Sequence, residues 1–479
     1  MIAMRLPEIA EVVDGEVVHD PGTVVRGPAF VDSRLVERDG LFVAVVGDRV
    51  DGHDYARRAL DAGAAAVLSS RDTGGPGVVV ADPVTALARL ARHVLGRLPA
   101  TTVVALTGSQ GKTGTKDLLA QVLAAAGRTV ATHGSFNNEL GLPLTVLRGD
   151  PTTRFLVLEM GARHVGDLRV SCGVAHPDVA LVLNVGTAHL GEFGSREAIA
   201  QAKGEIVEAL DADGTAVLNA DDPMVAEMAS RTRGHVRTFG ADPAADVRIA
   251  ELEVDGSGGP SFDLVAGRDR SRVRLRLVGE HHAANAAAAA AVALAVGVPF
   301  GVVCSSLGSA TATSPGRMQV RERSDGLLVV DDAYNANPES VRAALKALAA
   351  IGRGRPDART VAVLGEMREL GPTALEEHDA VGRLAVRLDI HQLLVVGEAA
   401  RPIHLGASLE GSWGQESVFV ADTDEATAWL RAHVRPGDVV LLKASNAVRL
   451  GRVADALLAD DPAAGPGAGL AAEDGATGR

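Results

Sequence analysis

The residues with the clearest chemical meaning form a glycine-rich turn between an apolar run and a helical pattern. Residues 103–106 predict a buried strand, and an apolar helical pattern follows from Leu118. The turn consists of Gly108, Ser109, Gln110, Gly111, Lys112 and Thr113. In such a setting, backbone N–H groups and the positive end of a helix converge on an anion. The pattern predicts a phosphate loop in which Lys112 reaches the terminal phosphates and Thr113 holds Mg²⁺. The alternative is a glycine-rich turn with a solvated lysine.

Further polar residues stand where predicted strands end. Glu159 directly follows the apolar run 155–158, and His189 comes shortly after the run 179–183. Ligands of open parallel sheets bind at the carboxyl ends of the strands, so Glu159 and His189 should share a rim with Lys112 and Thr113. Carboxylate and imidazole groups can hold a metal beside a triphosphate, although Mg²⁺ prefers oxygen ligands. Taken singly, each of these residues is more often structural.

The elements that must position these residues follow an α/β pattern with three predicted domains. Residues 1–97 alternate short strands with one or two helices and form a small α/β domain. Residues 98–312 carry the phosphate loop on a mostly parallel sheet. Residues 313–459 repeat the strand–helix alternation and predict a doubly wound, Rossmann-like domain with right-handed crossovers. Residues 460–479 are rich in Ala, Gly, Asp and Glu and predict a disordered tail.

Composition excludes several classes of protein. A length of 479 residues suits about three domains, and 47 basic against 61 acidic residues give a net charge of −14. Such a charge argues against nucleic acid or an anionic membrane surface as a partner. Cys172 and Cys304 are too few for a disulfide framework and too far apart for a metal site. No signal peptide is evident, and residues 286–304 suit a buried helix followed by a turn better than a membrane span. We therefore expect a cytoplasmic protein.

Several polar residues have two interpretations on spacing alone. Asn137 and Asn138 line a ligand, or they cap and turn a loop. Lys203, in a helical stretch, is functional or is a solvated surface lysine. Asp332 and Asn335 follow the first strand of the third domain, where they could hydrogen-bond a ribose or a base, and the residues after them resemble a helix start.

Two loop clusters in the first domain gather hydrogen-bonding side chains beside apolar strands. They consist of Asp32, Ser33 and Arg34, and of Asp51, Gly52 and His53. On spacing alone, ordinary turn chemistry explains both clusters.

Taken together, these motifs resemble the Mur ligase family over about residues 5–458, in its three-domain order. The stretches that carry the resemblance are residues 108–113, 135–143, 159–162, 184–189 and 331–340. The last stretch resembles the branch that adds D-alanyl-D-alanine, and the Asp-Asn-Pro-Arg motif typical of the branch that adds the third peptide residue does not occur. The resemblance implies an ATP-dependent, ADP-forming ligase. It would add D-Ala-D-Ala to UDP-N-acetylmuramoyl-tripeptide through an acyl phosphate, completing the cytoplasmic peptidoglycan precursor.

The resemblance also implies roles for single residues. Besides the loop residues 108–113, ATP would contact Asn138, Asn285 at the adenine, Arg317 at the phosphates, Asp332 at the ribose and Asn335. Two Mg²⁺ ions would be held by Thr113, Glu159, His189 and a carbamate on Lys203. The catalytic set would be Lys112, Glu159, His189, Lys203 and Arg317. The UDP group would lie near Asp32, Ser33, Arg34, Asp51, Gly52 and His53.

A few positions depart from the family pattern. Gln110, Gly114 and His282 differ from the residues expected there, and Asn446 stands where an arginine is expected after Lys443. The last departure leaves open a paralogue that uses D-Ala-D-lactate or another amine, in resistance or specialised metabolism. A non-catalytic nucleotide-binding switch is a further alternative, although it would not need the catalytic set as a whole. We expect a monomer with no nucleic-acid partner and no membrane insertion.

Overall fold

The computed structural model describes residues 1–47, 50–188, 190–411 and 416–462 as an α/β protein built on successive sheets. None of the helices in these ranges combines the length and the apolar character needed to cross a membrane.

The first part of the chain folds into a small α/β unit. Its elements are β1 (Met4–Arg5), α1 (Leu6–Val13), β2 (Glu16–Val18), β3 (Val24–Val25), β4 (Ala29–Phe30), β5 (Leu41–Val43), α2 (Ala56–Asp61), β6 (Ala66–Ser69), β7 (Gly77–Val79) and α3 (Pro83–Gly96). The main sheet has the order β2-β7-β6-β5-β4, and β1 pairs with β3. Strands β4 to β7 are parallel, so the loops after β4, β5 and β6 emerge at one edge.

The central part is a larger sheet with helices on both faces. Its strands are β8 (Thr102–Thr107), β9 (Thr129–Ala131), β10 (Phe155–Glu159), β11 (Val179–Val182), β12 (Thr215–Asn219), β13 (His235–Gly240), β14 (Val247–Val254), β15 (Pro260–Ala266) and β16 (Asp269–Arg274). Its helices are α4 (Lys112–Ala124), α5 (Gly141–Val146), α6 (Asp167–Val174), α7 (Leu190–Phe193), α8 (Arg196–Glu208), α9 (Pro223–Ala226), α10 (His281–Ala295) and α11 (Phe300–Ser309). The strand order is β16-β15-β14-β13-β12-β11-β8-β10-β9. Strand β15 is antiparallel to both of its neighbours, β14 and β16.

Helix α10 explains the alanine-rich composition of this part. Residues 286–293 of α10 are fully buried between the sheet and α4. Alanine side chains let a helix approach its neighbours closely, and close-packed interiors favour such contacts. The stretch is thus the buried helix that the sequence predicts, and the chain turns before α11 starts.

The last part is a doubly wound sheet. Its elements are β17 (Gln319–Glu322), β18 (Leu328–Asp331), α12 (Pro338–Gly354), β19 (Thr360–Leu364), α13 (Ala374–Arg387), β20 (Gln392–Val396), α14 (Arg401–Glu410), β21 (Ser417–Val420), α15 (Thr423–His433), β22 (Val439–Lys443) and α16 (Leu450–Ala459). The order is β17-β18-β22-β19-β20-β21, parallel except for the edge strand β17. Separate apolar cores cover the two faces of the sheet.

The predicted α/β class and the parallel sheets are confirmed. The antiparallel extension β14–β16 was not predicted. Charged residues dominate β16, and the alternation of β14 is interrupted by a bulge between Ala250 and Glu253. The boundaries at residues 97/98 and 312/313 stay a prediction, and each lies between elements of successive sheets. Of the predicted tail, residues 463–479 lie outside the described residues, whereas Asp460 accepts from Arg431 Nε at 2.8 Å.

Candidate active site

The predicted phosphate loop lies between β8 and the start of α4. Gly111 has φ +78°, and a Cβ there would lie 2.7 Å from Asn285 Oδ1. A glycine is therefore required both by the backbone and by the close approach of α10. The loop context that the sequence predicts, strand to glycine turn to helix, is present.

The segment after β11 anchors the loop. Ser109 N–H donates to Asn184 O at 3.1 Å, and Gln110 N–H donates to Asn184 Oδ1 at 3.0 Å. Gly186 N–H donates to Ser109 Oγ at 2.9 Å. The loop conformation is thus fixed by the protein itself, as preorganised anion binding requires.

Lys112 folds back over this loop. Its Nζ donates to Gly108 O at 2.7 Å. Burial lowers the pKa of Lys112, the Glu159 carboxylate opposes that shift, and the Arg317 guanidinium adds to it. Lys112, Glu159 and Arg317 are therefore electrostatic neighbours, and one of them comes from the last part of the chain.

A chain of hydroxyl groups connects Thr113 to Arg317. Thr113 Oγ1 lies 3.0 Å from Ser135 Oγ, which also accepts from Arg317 Nη2 at 3.1 Å. The Arg317 guanidinium stacks over the Tyr334 ring at 4.4 Å. Arg317, which precedes β17 of the last sheet, is thus linked to Thr113 of the phosphate loop through Ser135, and its contact with the phosphates stays a prediction. Ser135 was missing from the predicted set, although it stands in the loop that the sequence singles out.

Glu159 ends β10 and is 1 % exposed. Its Oε1 accepts from Asn137 Nδ2 at 2.7 Å. Its Oε2 is buried and has no hydrogen-bond partner among the described residues. A buried carboxylate oxygen without a partner is costly, so this atom suits a cation that the site would hold.

The paired asparagines have different tasks. Asn137 faces Glu159, whereas Asn138 is exposed and accepts from Gly141 N–H at 2.9 Å, at the start of α5. Asn137 is therefore the asparagine beside Glu159, whereas the predicted nucleotide contact was assigned to Asn138 and stays a prediction. Asn138 has the capping role that the sequence left open.

Lys203, on α8, is not a solvated surface lysine. It is 3 % exposed. Burial, and then the charge of Lys112, hold its pKa well below the ordinary value. Within the ranges that the structure describes, its amine has no hydrogen-bond or ion-pair partner. A buried amine beside a second lysine is stable only when it is neutral or chemically changed.

A pair of histidines stands at the start of α10. The rings of His281 and His282 lie 4.3 Å apart, next to Asn285. Both nitrogens of His282 and Nδ1 of His281 are buried without a hydrogen-bond partner in the described part of the chain. Burial lowers the pKa of His281 to about 4, against the opposing charge of Asp332, and holds that of His282 well below its ordinary value. Asn285 is also buried.

Asp332 and Asn335 bind protein groups. Asp332 Oδ2 accepts from Lys443 Nζ at 2.6 Å, and Oδ1 accepts from Met318 N–H at 3.1 Å. Asn335 is exposed, and its Oδ1 accepts from Ala336 N–H at 2.9 Å. Asp332 thus ties β18 to β22 in a buried ion pair, whatever else it contacts.

The cluster of Asp32, Ser33 and Arg34 follows β4. Arg34 donates to Asp32 through its N–H at 2.9 Å and through Nη2 at 2.8 Å. The hydrogen bonds from Arg34 lower the pKa of Asp32. Ser33 is 8 % exposed beneath them.

The cluster of Asp51, Gly52 and His53 is also internally paired. His53 Nε2 accepts from Ser70 N–H at 3.0 Å, so its Nδ1 carries the proton shared with Asp51 Oδ1 at 2.6 Å. Asp51 Oδ2 accepts from Arg71 Nη2 at 2.9 Å. Hydrogen bonds from the His53 backbone and ring lower the pKa of Asp51 to about 2. The residues lie at the sheet edge where the loops after β5 and β6 meet.

His189, a predicted metal ligand, lies outside the described residues. Among the residues that the structure describes, no group of three or more His, Cys, Asp or Glu could hold a metal ion. The predicted ligand set combines His189 with a hydroxyl group, one carboxylate and a modified lysine, so it contains fewer than three residues of these types.

Comparisons with known proteins agree with this arrangement. The chain matches the models for the Mur ligase family catalytic domain at residues 16–94, the Mur ligase middle domain at 106–293 and the Mur ligase glutamate ligase domain at 316–446. It is 48 % identical to the UDP-N-acetylmuramoyl-tripeptide–D-alanyl-D-alanine ligase of Mycobacterium tuberculosis, over 96 % of this chain and 99 % of that protein.

Solved structures are similar over nearly the full length. A crystal structure of MurF from Acinetobacter baumannii has a TM-score of 0.83 at 30 % identity, covering 95 % of this chain and 99 % of that one. MurF from Thermotoga maritima, solved in complex with ADP, has a TM-score of 0.75 at 34 % identity, covering 90 % and 96 %. With the loop, the buried carboxylate and lysine and the arginine from the last sheet in one site, the chain belongs to the Mur ligase family.

Proposed function

We propose that this chain is an ATP-dependent ligase that joins D-alanyl-D-alanine to UDP-N-acetylmuramoyl-tripeptide, with release of ADP and phosphate. The observation that carries the proposal is the meeting of Lys112, Glu159 and Lys203 with Arg317 from the last sheet. An identity of 48 % to named ligases over nearly the whole chain supports the same substrates. The reaction would complete the peptidoglycan precursor in the cytoplasm, and we propose a monomer.

The proposal divides the work among three domains. Residues 1–97 would hold the UDP group, residues 98–312 would bind ATP, and residues 313–459 would bring the dipeptide. Uridine contacts are proposed for Asp32, Ser33, Arg34, Asp51, Gly52 and His53. Since Asp32 is already bonded to Arg34 and Asp51 to His53, backbone groups of the two loops would make most of the contacts.

The reaction must bring two anions together, the tripeptide carboxylate and the γ-phosphate of ATP. The tripeptide carboxylate would attack the γ-phosphorus of ATP, forming an acyl phosphate and ADP. The dipeptide amine would lose a proton from its ammonium form, attack the acyl carbonyl, and lose a second proton as phosphate leaves. Lys112 and the loop N–H groups would hold the phosphates in line, and Arg317 would add positive charge. Asn285 would contact adenine, and Asn138, Asp332 and Asn335 would lie beside the nucleotide.

The residues fit Mg²⁺, which would supply charge neutralisation between the phosphates and the carboxylate. Thr113 Oγ1 and the unpartnered Glu159 Oε2 would be oxygen ligands. A carbamate on Lys203 would be a third, and His189 would help to hold the second of two ions.

The buried amine of Lys203 supports the carbamate that the family resemblance implies. A neutral lysine amine can attack the carbon of CO₂ and lose one proton, giving an N-carboxylate and turning a potential cation into an anion. The lowered pKa of Lys203 keeps its nitrogen lone pair available for this reaction.

The test is phosphate release from ATP with UDP-N-acetylmuramoyl-tripeptide and D-Ala-D-Ala, D-Ala-D-lactate or no acceptor. Release that depends on D-Ala-D-Ala, with formation of the pentapeptide precursor, is expected. Preference for the depsipeptide would instead indicate a specialised paralogue and would make Asn446 the first residue to replace. No release with any acceptor would contradict the substrate assignment.

A further inference from the structure

Glu339 brings a carboxylate from the last sheet to the phosphate loop. It lies in the first turn of α12, which is capped by Asn337. Glu339 Oε1 accepts from Thr187 N–H at 3.1 Å and from the Thr187 hydroxyl at 2.8 Å. Thr187 follows β11 of the central sheet, so this contact connects the two sheets.

Gly186 makes the approach possible. A Cβ at position 186 would lie 3.2 Å from Glu339 Oε1 and 3.3 Å from Ser109 Cβ. Such a side chain would crowd both the carboxylate and the loop. Because Gly186 also donates to Ser109 Oγ, the Glu339 carboxylate lies directly beside the phosphate loop.

One oxygen of Glu339 is unused by the fold. Oε1 alone makes the contact with Thr187, whereas Oε2 is buried and has no hydrogen-bond partner within the described ranges. A buried carboxylate oxygen without a donor costs free energy, and natural proteins rarely keep one without a use. The atom needs a donor, and the described residues supply none.

The groups around Glu339 Oε2 determine which donor can bind there. The loop is built for phosphate groups, and a carboxylate beside phosphates is repelled unless a positive group lies between them. The acceptor dipeptide carries its positive charge on the amine, the atom that must reach the acyl phosphate. We propose that Glu339 Oε2 binds the amino group of the incoming dipeptide, an inference that rests on the ligase function proposed above. Glu339 therefore orients the nucleophile from the last sheet, through its contact with Thr187 of the central sheet.

The decisive variant is Glu339→Gln. The glutamine carbonyl can still accept both hydrogen bonds from Thr187, while an NH₂ group replaces Oε2 and the charge is lost. We expect the KM for D-Ala-D-Ala to rise at least about tenfold, the size expected for losing a hydrogen bond to a charged group, with the KM for ATP and for the UDP-tripeptide within about twofold of wild type.

The matched control is Thr187→Val, which removes one hydrogen bond to Oε1 and leaves Oε2 in place. Its KM for the dipeptide should stay close to that of the wild type. An equal rise in both variants would make Glu339 a contact between the sheets only, and would overturn the proposal. So would a changed Mg²⁺ requirement in Glu339→Gln with an unaltered KM for the dipeptide, because Oε2 would then serve a metal.

The same assay separates the two proposals. If the wild type releases phosphate without dependence on a dipeptide, the proposed function fails. If the wild type depends on the dipeptide and Glu339→Gln keeps the wild-type KM, the function stands and the role of Glu339 is wrong.

Discussion

The phosphate-loop site and the loop clusters of the N-terminal sheet use their polar side chains in opposite ways. Around the loop, buried polar atoms lack protein partners in the described residues, among them Glu159 Oε2 and Glu339 Oε2. In the N-terminal clusters the carboxylate of Asp32 is paired with Arg34, and that of Asp51 is paired with His53 and Arg71.

The difference shows how each region is prepared for a ligand. A buried polar group without a partner destabilises the protein when no ligand is bound. This cost is removed when a ligand supplies the partner. In a paired cluster the charged side chains already have hydrogen-bond partners, so the cluster offers a ligand its shape and its backbone groups. Substitutions at the phosphate-loop site should therefore change chemistry, and those in the clusters should change stability more than chemistry.

Lys112→Ala is the strongest test of this contrast. It removes the cation that covers the loop, and we expect phosphate release to fall about a thousandfold or more. Calorimetric binding of the UDP-tripeptide should stay measurable, because that group is assigned to the N-terminal sheet. Loss of both activities would contradict the division between the regions.

Lys203→Ala should reduce phosphate release nearly as much as Lys112→Ala, since it removes the proposed metal ligand. Short-chain carboxylates should restore part of the phosphate release by replacing the carbamate. Lys116→Met is the matched control, because Lys116 is also buried but donates to Thr132 O at 2.9 Å and pairs with Asp117 at 2.6 Å. Carboxylates should not rescue that variant, and full activity of Lys203→Ala would refute the ligand role.

The histidine pair predicts a moderate effect of pH on stability. The folded-state pKa of His281, about 4, lies below its ordinary value of 6.5. Between pH 6.5 and 4, the unfolded chain therefore binds a proton at His281 that the folded protein does not bind. The contribution of His281 to stability is complete above pH 6.5 and declines as the pH falls towards 4. Thermal unfolding across this range should show the decline, and His281→Asn should reduce its slope. An unchanged slope would assign the decline to other groups.

Asp51→Asn should have the smallest effect. The folded-state pKa of Asp51, about 2, lies below its ordinary value of 3.8, so its contribution is present above that value and is lost as the pH falls through 2. Because the carboxylate is partly exposed, we expect Tm at neutral pH to fall by no more than about 4 °C. The KM for ATP should not change, and a large change would mean that the regions are coupled.

The sequence predicted the local features well. The β8–loop–α4 unit is encoded by neighbouring residues, namely an apolar strand, glycines and a lysine that opens the helix. The buried state of α10 also follows from composition, because a helix without charges has no face suited to water.

The sequence did not decide between paired residues. Asn137 and Asn138 look equivalent in the chain, and only the position of β10 makes Asn137 the partner of Glu159. Glu339 resembles an ordinary helix-start residue, and its contact with Thr187 spans 152 positions. Such contacts depend on how two sheets meet, which no local pattern records.

By itself, then, the sequence determined the α/β class, the phosphate loop and the family, because each depends on residues close together in the chain. The tertiary structure alone decided which polar atoms find partners and which do not. That outcome depends on packing between distant elements: it buried Lys203 and Glu159 beside Lys112, and it brought Arg71 to Asp51.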